Sequence, residues 1–331
     1  MLESELSTKN IDTFDTIHPT LSLVLENIEK VIVGKRQVIK LLLTALLAEG
    51  HILLDDVPGV GKTTLAKALA ASLDLSYSRI QFTPDLLPTD ITGVSIYNPA
   101  QAQFVFQPGP IFAHLILADE INRTSPRTQS ALLEVMEEGQ VTIDGQRQGL
   151  ARPFVVVATE NPIEYEGTFP LPESQLDRFL FRIQLGYPNP DEEAEMLQRL
   201  EASHPLGSLK PVVGLSDLLM LIDQVPKIHV SPAIRRYMAQ LAQRTREHNR
   251  IYLGMSPRAT IALQRSAQAW AVLHGRTFVV PEDVRLLAPL VLSHRLIPRG
   301  GSRHDTRALV QEVIDDILAH LPLGDSDGRA R

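Results

Sequence analysis

Asp56-Val57-Pro58-Gly59-Val60-Gly61-Lys62-Thr63 carries the residue types that a phosphate chain needs. Backbone N–H groups must point at the phosphate oxygens, and a helix N-terminus behind them adds a favourable dipole. Gly59 and Gly61 permit close approach and unusual dihedrals. Lys62 supplies a point charge for the β- and γ-phosphates, and Thr63 a hydroxyl for Mg2+. With Pro58, Val60 and Thr64 they form the candidate nucleotide-binding set, so ATP and Mg2+ are the expected cofactors. Asp56 stands where a first glycine is usual. Aspartate tolerates left-handed backbone better than most residues, which makes the departure mild. A strand-like run before the loop and a helical pattern at Leu65–Ala71 after it distinguish it from a chance glycine turn.

Four further stretches extend this chemistry. Leu115-Ile116-Leu117-Ala118-Asp119-Glu120 delivers two carboxylates from a buried strand to the sheet edge where ligands bind. Asp119 is placed to hold Mg2+ through its water shell, and Glu120 to polarise the attacking water. An apolar run ending in Asp-Glu is common and gains this meaning only downstream of the phosphate loop. Ala158-Thr159-Glu160-Asn161-Pro162 is another strand end, where Asn161 could hydrogen-bond the attacking water and sense the γ-phosphate. By itself it would be an Asn-Pro turn. Leu176-Asp177-Arg178-Phe179 puts Arg178 near the end of the α/β portion. A ring ATPase places there an arginine finger that stabilises charge on a neighbour's transferring phosphate. Gly254-Met255-Ser256-Pro257-Arg258 opens a helix in the second half. Arg258 could lean onto the γ-phosphate, or be one more arginine in an arginine-rich region.

The elements that must position these residues follow from periodicity. Apolar residues recur at helical spacing over Leu21–Val31 and Gln37–Ala48, the latter ended by Gly50. His51–Leu54, Leu115–Ala118 and Phe154–Ala158 are short apolar runs of the buried parallel-strand type, with helical segments such as Ser130–Glu138 between them. This alternation predicts a parallel α/β sheet. Ile91–Gln107 reads as a hairpin about Asn98-Pro99, and Gln140–Leu150 as one about Asp144-Gly145, a favoured tight-turn pair. Beyond Pro188 only helices are expected, over Glu192–Glu201, Ser216–Gln224, Pro232–His248, Pro257–His274 and Glu282–Ser293. Ser216, Ser231 and Ser256 are the expected N-caps. The expected division is a mobile arm over 1–17, a nucleotide-binding core over 18–188, a helical domain over 189–321 and a tail over 322–331.

Composition narrows the class. The 331 residues carry no cysteine, which excludes disulfides and thiolate zinc sites and fits a reducing compartment, so a cytoplasmic location is expected. No apolar run is long enough to cross a bilayer, and the acidic, polar first residues do not read as a secretory signal, so no membrane insertion is expected. The net charge of −7 is unevenly spread: residues 231–310 hold thirteen arginines, no lysine and four acidic residues. That surface is either solvated or meets an acidic partner, such as the core of a neighbouring subunit.

Taken together, the chain resembles the MoxR family of AAA+ ATPases over roughly residues 20 to 298. The matching stretches are Val31–Gly34, Asp56–Thr63, Ile91–Val94, Gln107–Phe112, Ala118–Arg123, Arg127–Glu134, Glu164–Phe179, Gly254–Arg258 and Pro281–Val284. Glu160 and Lys35 each stand where the family more usually has glutamine. The resemblance implies a AAA+ core, a helical lid and a hexameric ring. It assigns Val33 and Gly34 to the adenine side, Asn161 to sensor 1, Arg178 to the arginine finger and Arg258 to sensor 2. Ile91–Gln107 becomes the helix-2 insert and Gln140–Leu150 the pre-sensor-1 hairpin. It implies chaperone-like remodelling or maturation of client proteins, often with von Willebrand A-domain partners and sometimes to insert metal cofactors. Two other readings share this architecture: a nucleic-acid motor and the ATPase subunit of a metal chelatase. Against the first, the chain has a pI near 5.8, Ile91–Gln107 has no Lys or Arg, and Gln140–Leu150 has only Arg147. Nucleic acid is therefore not expected as a partner.

Overall fold

The computed structural model describes residues 16–161, 167–202, 205–300 and 303–322. The expectations for most of the N-terminal arm and the tail, for Pro162, and for the start of the Glu164–Phe179 stretch lie outside these residues.

Helices α1 (Pro19–Glu29) and α2 (Arg36–Leu47) lead into strand β1 (His51–Asp55), the phosphate loop and α3 (Lys62–Ser72). Then follow β2 (Tyr77–Gln81), α4 (Pro88–Thr92), β3 (Gly93–Asn98), β4 (Gln103–Pro108), β5 (Leu115–Asp119) and α5 (Pro126–Glu138). The core is completed by β6 (Gln140–Ile143), β7 (Gln146–Gly149), β8 (Val155–Glu160), α6 (Glu173–Leu176) and β9 (Phe179–Ile183). The rest is helical apart from one small ladder: α7 (Pro190–Ala202), α8 (Leu215–Ile222), α9 (Pro232–Glu247), β10 (Ile251–Leu253), α10 (Pro257–Leu273), α11 (Pro281–Leu292), β11 (Ile297–Pro298) and α12 (Arg303–His320).

Five strands form one parallel sheet in the order β2-β5-β8-β1-β9. The three central strands are the apolar runs seen in the sequence, and every residue of β1 and β5 is buried. A parallel sheet covered by helices on both faces requires this. The two hairpins are β3–β4 and β6–β7, the latter turning on Asp144 and Gly145 with φ of 50° and 76°.

On one face of the sheet α1, α2 and α3 pack into an apolar cluster that continues without a break into α8 to α12. On the other, α5 covers a separate cluster that includes Phe82, Phe179 and Ile116. Ser231 and Ser256 cap their helices, accepting from Ile234 N at 3.2 Å and Ala259 N at 3.1 Å. Ser216 does not: α8 begins one residue earlier, and Gly214 is its N-cap. The helix expected at Ser130 starts four residues sooner, because Pro126 is preset for a first turn and Ser125 caps it.

β9 is a sheet edge, and the helical domain covers it. His294 Nε2 donates to Phe179 O at 2.9 Å, and Arg295 donates to the same carbonyl at 2.7 Å and to Leu180 O at 3.3 Å. Arg295 Nε also meets Asp177 Oδ1 at 2.6 Å. The acidic partner of the arginine-rich region is thus in part this chain's own core. Arg258, Arg265, Arg295 and Arg307 pair with Glu137, Glu49, Asp177 and Asp55 respectively.

Two buried histidines make the fold sensitive to acid. His51 accepts from Val156 N at its Nδ1 (3.1 Å) and faces Met136 O through Nε2 (2.9 Å), an arrangement for the neutral Nε2–H ring. Burial lowers its pKa from 6.5 to about 4. Burial, followed by the charge of Arg295, holds His294 well below 6.5. The unfolded chain takes up a proton on each ring near pH 6.5 while the folded chain refuses it. Stability is therefore full above that pH and falls as pH drops through it towards 4. Linkage gives roughly 1 kcal/mol for His51 between pH 7.5 and 5.5, with His294 adding in the same direction. Urea unfolding at the two pH values checks this, and equal midpoints would show that neither ring is held neutral.

Candidate functional site

The C-terminal ends of β1, β5 and β8 lie side by side, with Asp55 in register with Glu160 and Ala118 with Ala158. The phosphate loop leaves β1, Asp119 and Glu120 end β5, and Asn161 follows β8. One sheet edge thus collects the residues that the sequence singled out for phosphate, metal and water.

Gly61, the N-cap of α3, has φ 93°, and Gly59 has φ 88°. A Cβ built on either would meet nothing within 4 Å, so the loop backbone faces open space, as a cradle for phosphate must. Lys62 Nζ donates to Asp56 O at 2.6 Å. Burial lowers the Lys62 pKa, opposed by the charges of Asp56, Asp119, Glu120 and Asp55. The charge of Lys62 is thus felt by the carboxylates at this end of the sheet. The donors suit the expected group: the Thr63 hydroxyl and the Asp119 carboxylate are hard oxygens of the kind Mg2+ takes.

Asp56 has a definite task. Its Oδ2 accepts from Leu185 N and, at 3.2 Å, from Gly186 N. The carboxylate ties the start of the phosphate loop to the chain leaving β9, which a glycine cannot do. Lys35 is similarly structural: it is buried and donates to Tyr187 O at 3.2 Å, with Glu192 at 3.9 Å. Asn189 and Glu192 cap α7 reciprocally at 2.9 Å each. Gly34 sits at this junction, where a Cβ would strike the Glu192 side chain, and Val33 before it is buried. Glu160, in place of glutamine, faces Arg182 at 3.8 Å.

Two residues beside the acidic pair, Arg79 and Gln81, had escaped notice. Arg79 contacts Asp119 Oδ2 at 2.7 and 3.1 Å, while Thr159 Oγ1 donates to the other oxygen at 2.8 Å. Gln81 Nε2 donates to Glu120 Oε2 at 2.8 Å, and Arg123 meets the same oxygen at 3.1 Å. Glu120 has φ 59°, which turns it out of the strand, and its N–H donates to Thr159 Oγ1 at 2.8 Å. Arg79 and Gln81 alternate on β2, and that two-residue spacing was the available signal.

Arg178 and Arg258 are elsewhere. Arg178 precedes β9, whose first residue pairs with His51, the first residue of β1. It therefore sits at the opposite sheet edge from the phosphate loop. The five-residue strand β1 separates the two edges by about 16 Å at about 3.3 Å per residue. Arg178 Nη1 donates to Leu133 O at 2.7 Å and meets Glu137 at 2.7 Å. Arg258 meets the same Glu137 at 3.1 Å and lies 4.0 Å from Asp177. The two arginines are thus companions, held on the edge of the sheet away from the phosphate loop.

This sheet order, with a phosphate loop after β1, an acidic pair after β5 and a helical lid, defines the AAA+ class of P-loop ATPases. Residues 51–181 match the model of the ATPase family associated with various cellular activities (AAA), and residues 243–317 that of the AAA lid domain. Chaperone MoxR1 of Mycobacterium tuberculosis is 42% identical over 84% of this chain and 76% of its own length. The protein YeaC of Bacillus subtilis, described as uncharacterized, is 50% identical over 92% of this chain and 96% of its own. A crystal structure from Cytophaga hutchinsonii, described as that of a "putative ATPase", superposes with a TM-score of 0.82 at 39% identity. It covers 89% of this chain and 93% of that one. The chain belongs to the MoxR family of AAA+ ATPases.

Proposed function

We propose that this chain hydrolyses MgATP in a hexameric ring whose sites are shared between neighbours, and couples turnover to remodelling or maturation of partner proteins in the cytoplasm. The observation that carries the proposal is the separation of Arg178 and Arg258 from the phosphate loop by a strand's length, with Arg258 about half exposed. Neither arginine can serve its own nucleotide from there, whereas a copy placed alongside can present both. Boundaries at 18–188 for the core and 189–321 for the lid suit this division of labour.

In this reading the loop backbone and Lys62 bind the triphosphate, and Val33 and Gly34 lie on its adenine side. Thr63 and Asp119 would hold Mg2+, which would supply positive charge against the phosphates. For that, Asp119 would have to give up Arg79. Glu120, released from Gln81 and Arg123, accepts a proton from the attacking water, which Asn161 orients. The neighbour's Arg178 and Arg258 stabilise charge on the transferring phosphoryl group.

Polypeptide suits the partner better than nucleic acid. The hairpin segment Ile91–Gln107 carries no charged residue, and it exposes Phe104 (72%) and Tyr97 (51%). Several lid arginines are already paired with the core. A von Willebrand A-domain protein and a metal-insertion client are the candidate partners. Among the described residues no helix is long and apolar enough to cross a membrane. Light scattering on the Glu120→Gln protein with saturating MgATP is expected to give a hexamer, and a single-chain particle under those conditions would sink the ring.

A further inference from the structure

Arg178 and Arg258 come from different parts of the chain, yet they meet on one carboxylate. Glu137, next to last in α5, offers Oε2 to Arg178 Nη1 at 2.7 Å and Oε1 to Arg258 Nη1 at 3.1 Å. We propose that Glu137 is a positioning residue that holds these two arginines together as one anion-receiving pair for the neighbouring subunit's triphosphate. The inference rests on the shared-site reading above and names a residue that this reading does not use.

The physical case begins with α5 itself. Its last turn contains no basic residue, and Glu137 and Glu138 stand where the helix dipole disfavours negative charge. The helix alone gives no reason for a carboxylate at 137. The reason lies across the gap: two guanidinium groups repel at close range unless an anion sits between them. Arg178 is fixed further by its bond to Leu133 O, one turn back on α5. Arg258 has Asp177 at 4.0 Å as its second partner. Each guanidinium has five N–H donors, so both keep donors for phosphate while one oxygen of Glu137 holds each in place. The side chains of Arg178, Arg258 and Glu137 are 27%, 48% and 39% exposed, which leaves the pair accessible from outside the chain. Glu137 also bridges core and lid, so the pair forms only when the lid is docked.

Removing Glu137 leaves the subunit's own phosphate loop and acidic pair intact. Glu137→Ala is therefore expected to lower kcat by about 10–100-fold, the scale of a misplaced catalytic group, with KM for MgATP changed by less than about threefold. Glu137→Gln keeps one acceptor oxygen and should lose less. A kcat for Glu137→Ala equal to or above the parent's overturns the proposal.

Mixed rings separate positioning from damage to the subunit's own site. Glu137→Ala subunits mixed with Lys62→Ala subunits, whose arginine face is intact, are expected to regain turnover. Mixed with Arg178→Ala subunits they are expected not to. The control is Arg178→Ala with Lys62→Ala. If the control recovers and the Glu137→Ala mixture does not, the positioning role fails while the shared site stands. If the control itself fails, the shared site and the positioning role fall together. Should Glu137→Ala not fold, Glu137→Gln carries the same comparison.

Discussion

Glu120→Gln is expected to bind ATP as the parent does and to hydrolyse it about 10²–10⁴-fold more slowly, the range of a lost general base. The carboxylate acts on the water, not on the bound triphosphate, so its loss appears in kcat and not in affinity. Lys62→Ala should do the reverse and abolish binding. Its ammonium stands at the phosphate loop, bonded to Asp56 O at 2.6 Å, and is the positive charge proposed to meet the phosphates. Titration of a fluorescent ATP analogue and phosphate release measured on both proteins test the pair. Parent-rate hydrolysis by Glu120→Gln would remove Glu120 from the role of base.

Arg178→Ala is expected to cost still more, about 10³–10⁵-fold in turnover, as arginine fingers do. The loss should be repairable in trans. Arg178→Ala subunits have intact phosphate loops, and Lys62→Ala subunits have intact arginines, so mixed rings contain some complete sites. Activity from a mixture of two inactive proteins is the expected outcome. Its absence under conditions of demonstrated subunit exchange would mean that Arg178 does not serve a neighbour.

The placement of the candidate site at one end of the sheet was legible in the sequence, because its residues stand at the ends of buried apolar runs. Strands β1, β5 and β8 occupy the sheet centre, where burial on both faces leaves the unmistakable pattern Ile52-Leu53-Leu54 or Val155-Val156-Val157. The outer strands escaped. β2 is Tyr77-Ser78-Arg79-Ile80-Gln81, only one of whose residues is fully buried, so its sequence alternates weakly. β9 was hidden behind Arg178, which drew attention as chemistry and not as the residue that opens a strand. With β2 unseen, Arg79 and Gln81 could not be placed against Asp119 and Glu120. Ser216 misled because a hydroxyl near a helix start is a good cap only if the helix begins just after it, and Leu215 is already helical. Asp56 was read through its tolerance of unusual backbone. Its actual work, gripping Leu185 and Gly186, joins residues 129 and 130 positions away and leaves no local trace.

The cover on β9 also sets a timetable. Phe179-Leu180-Phe181 is an apolar edge, and an uncovered edge of this kind is a template for another chain. Arg295, which caps the Phe179 carbonyl, lies 116 residues further on. At ordinary rates of synthesis those residues take roughly 6–25 s to appear. For that interval the newborn sheet has a finished edge and no lid to close it, and a second nascent chain can compete for the place that His294 and Arg295 later take.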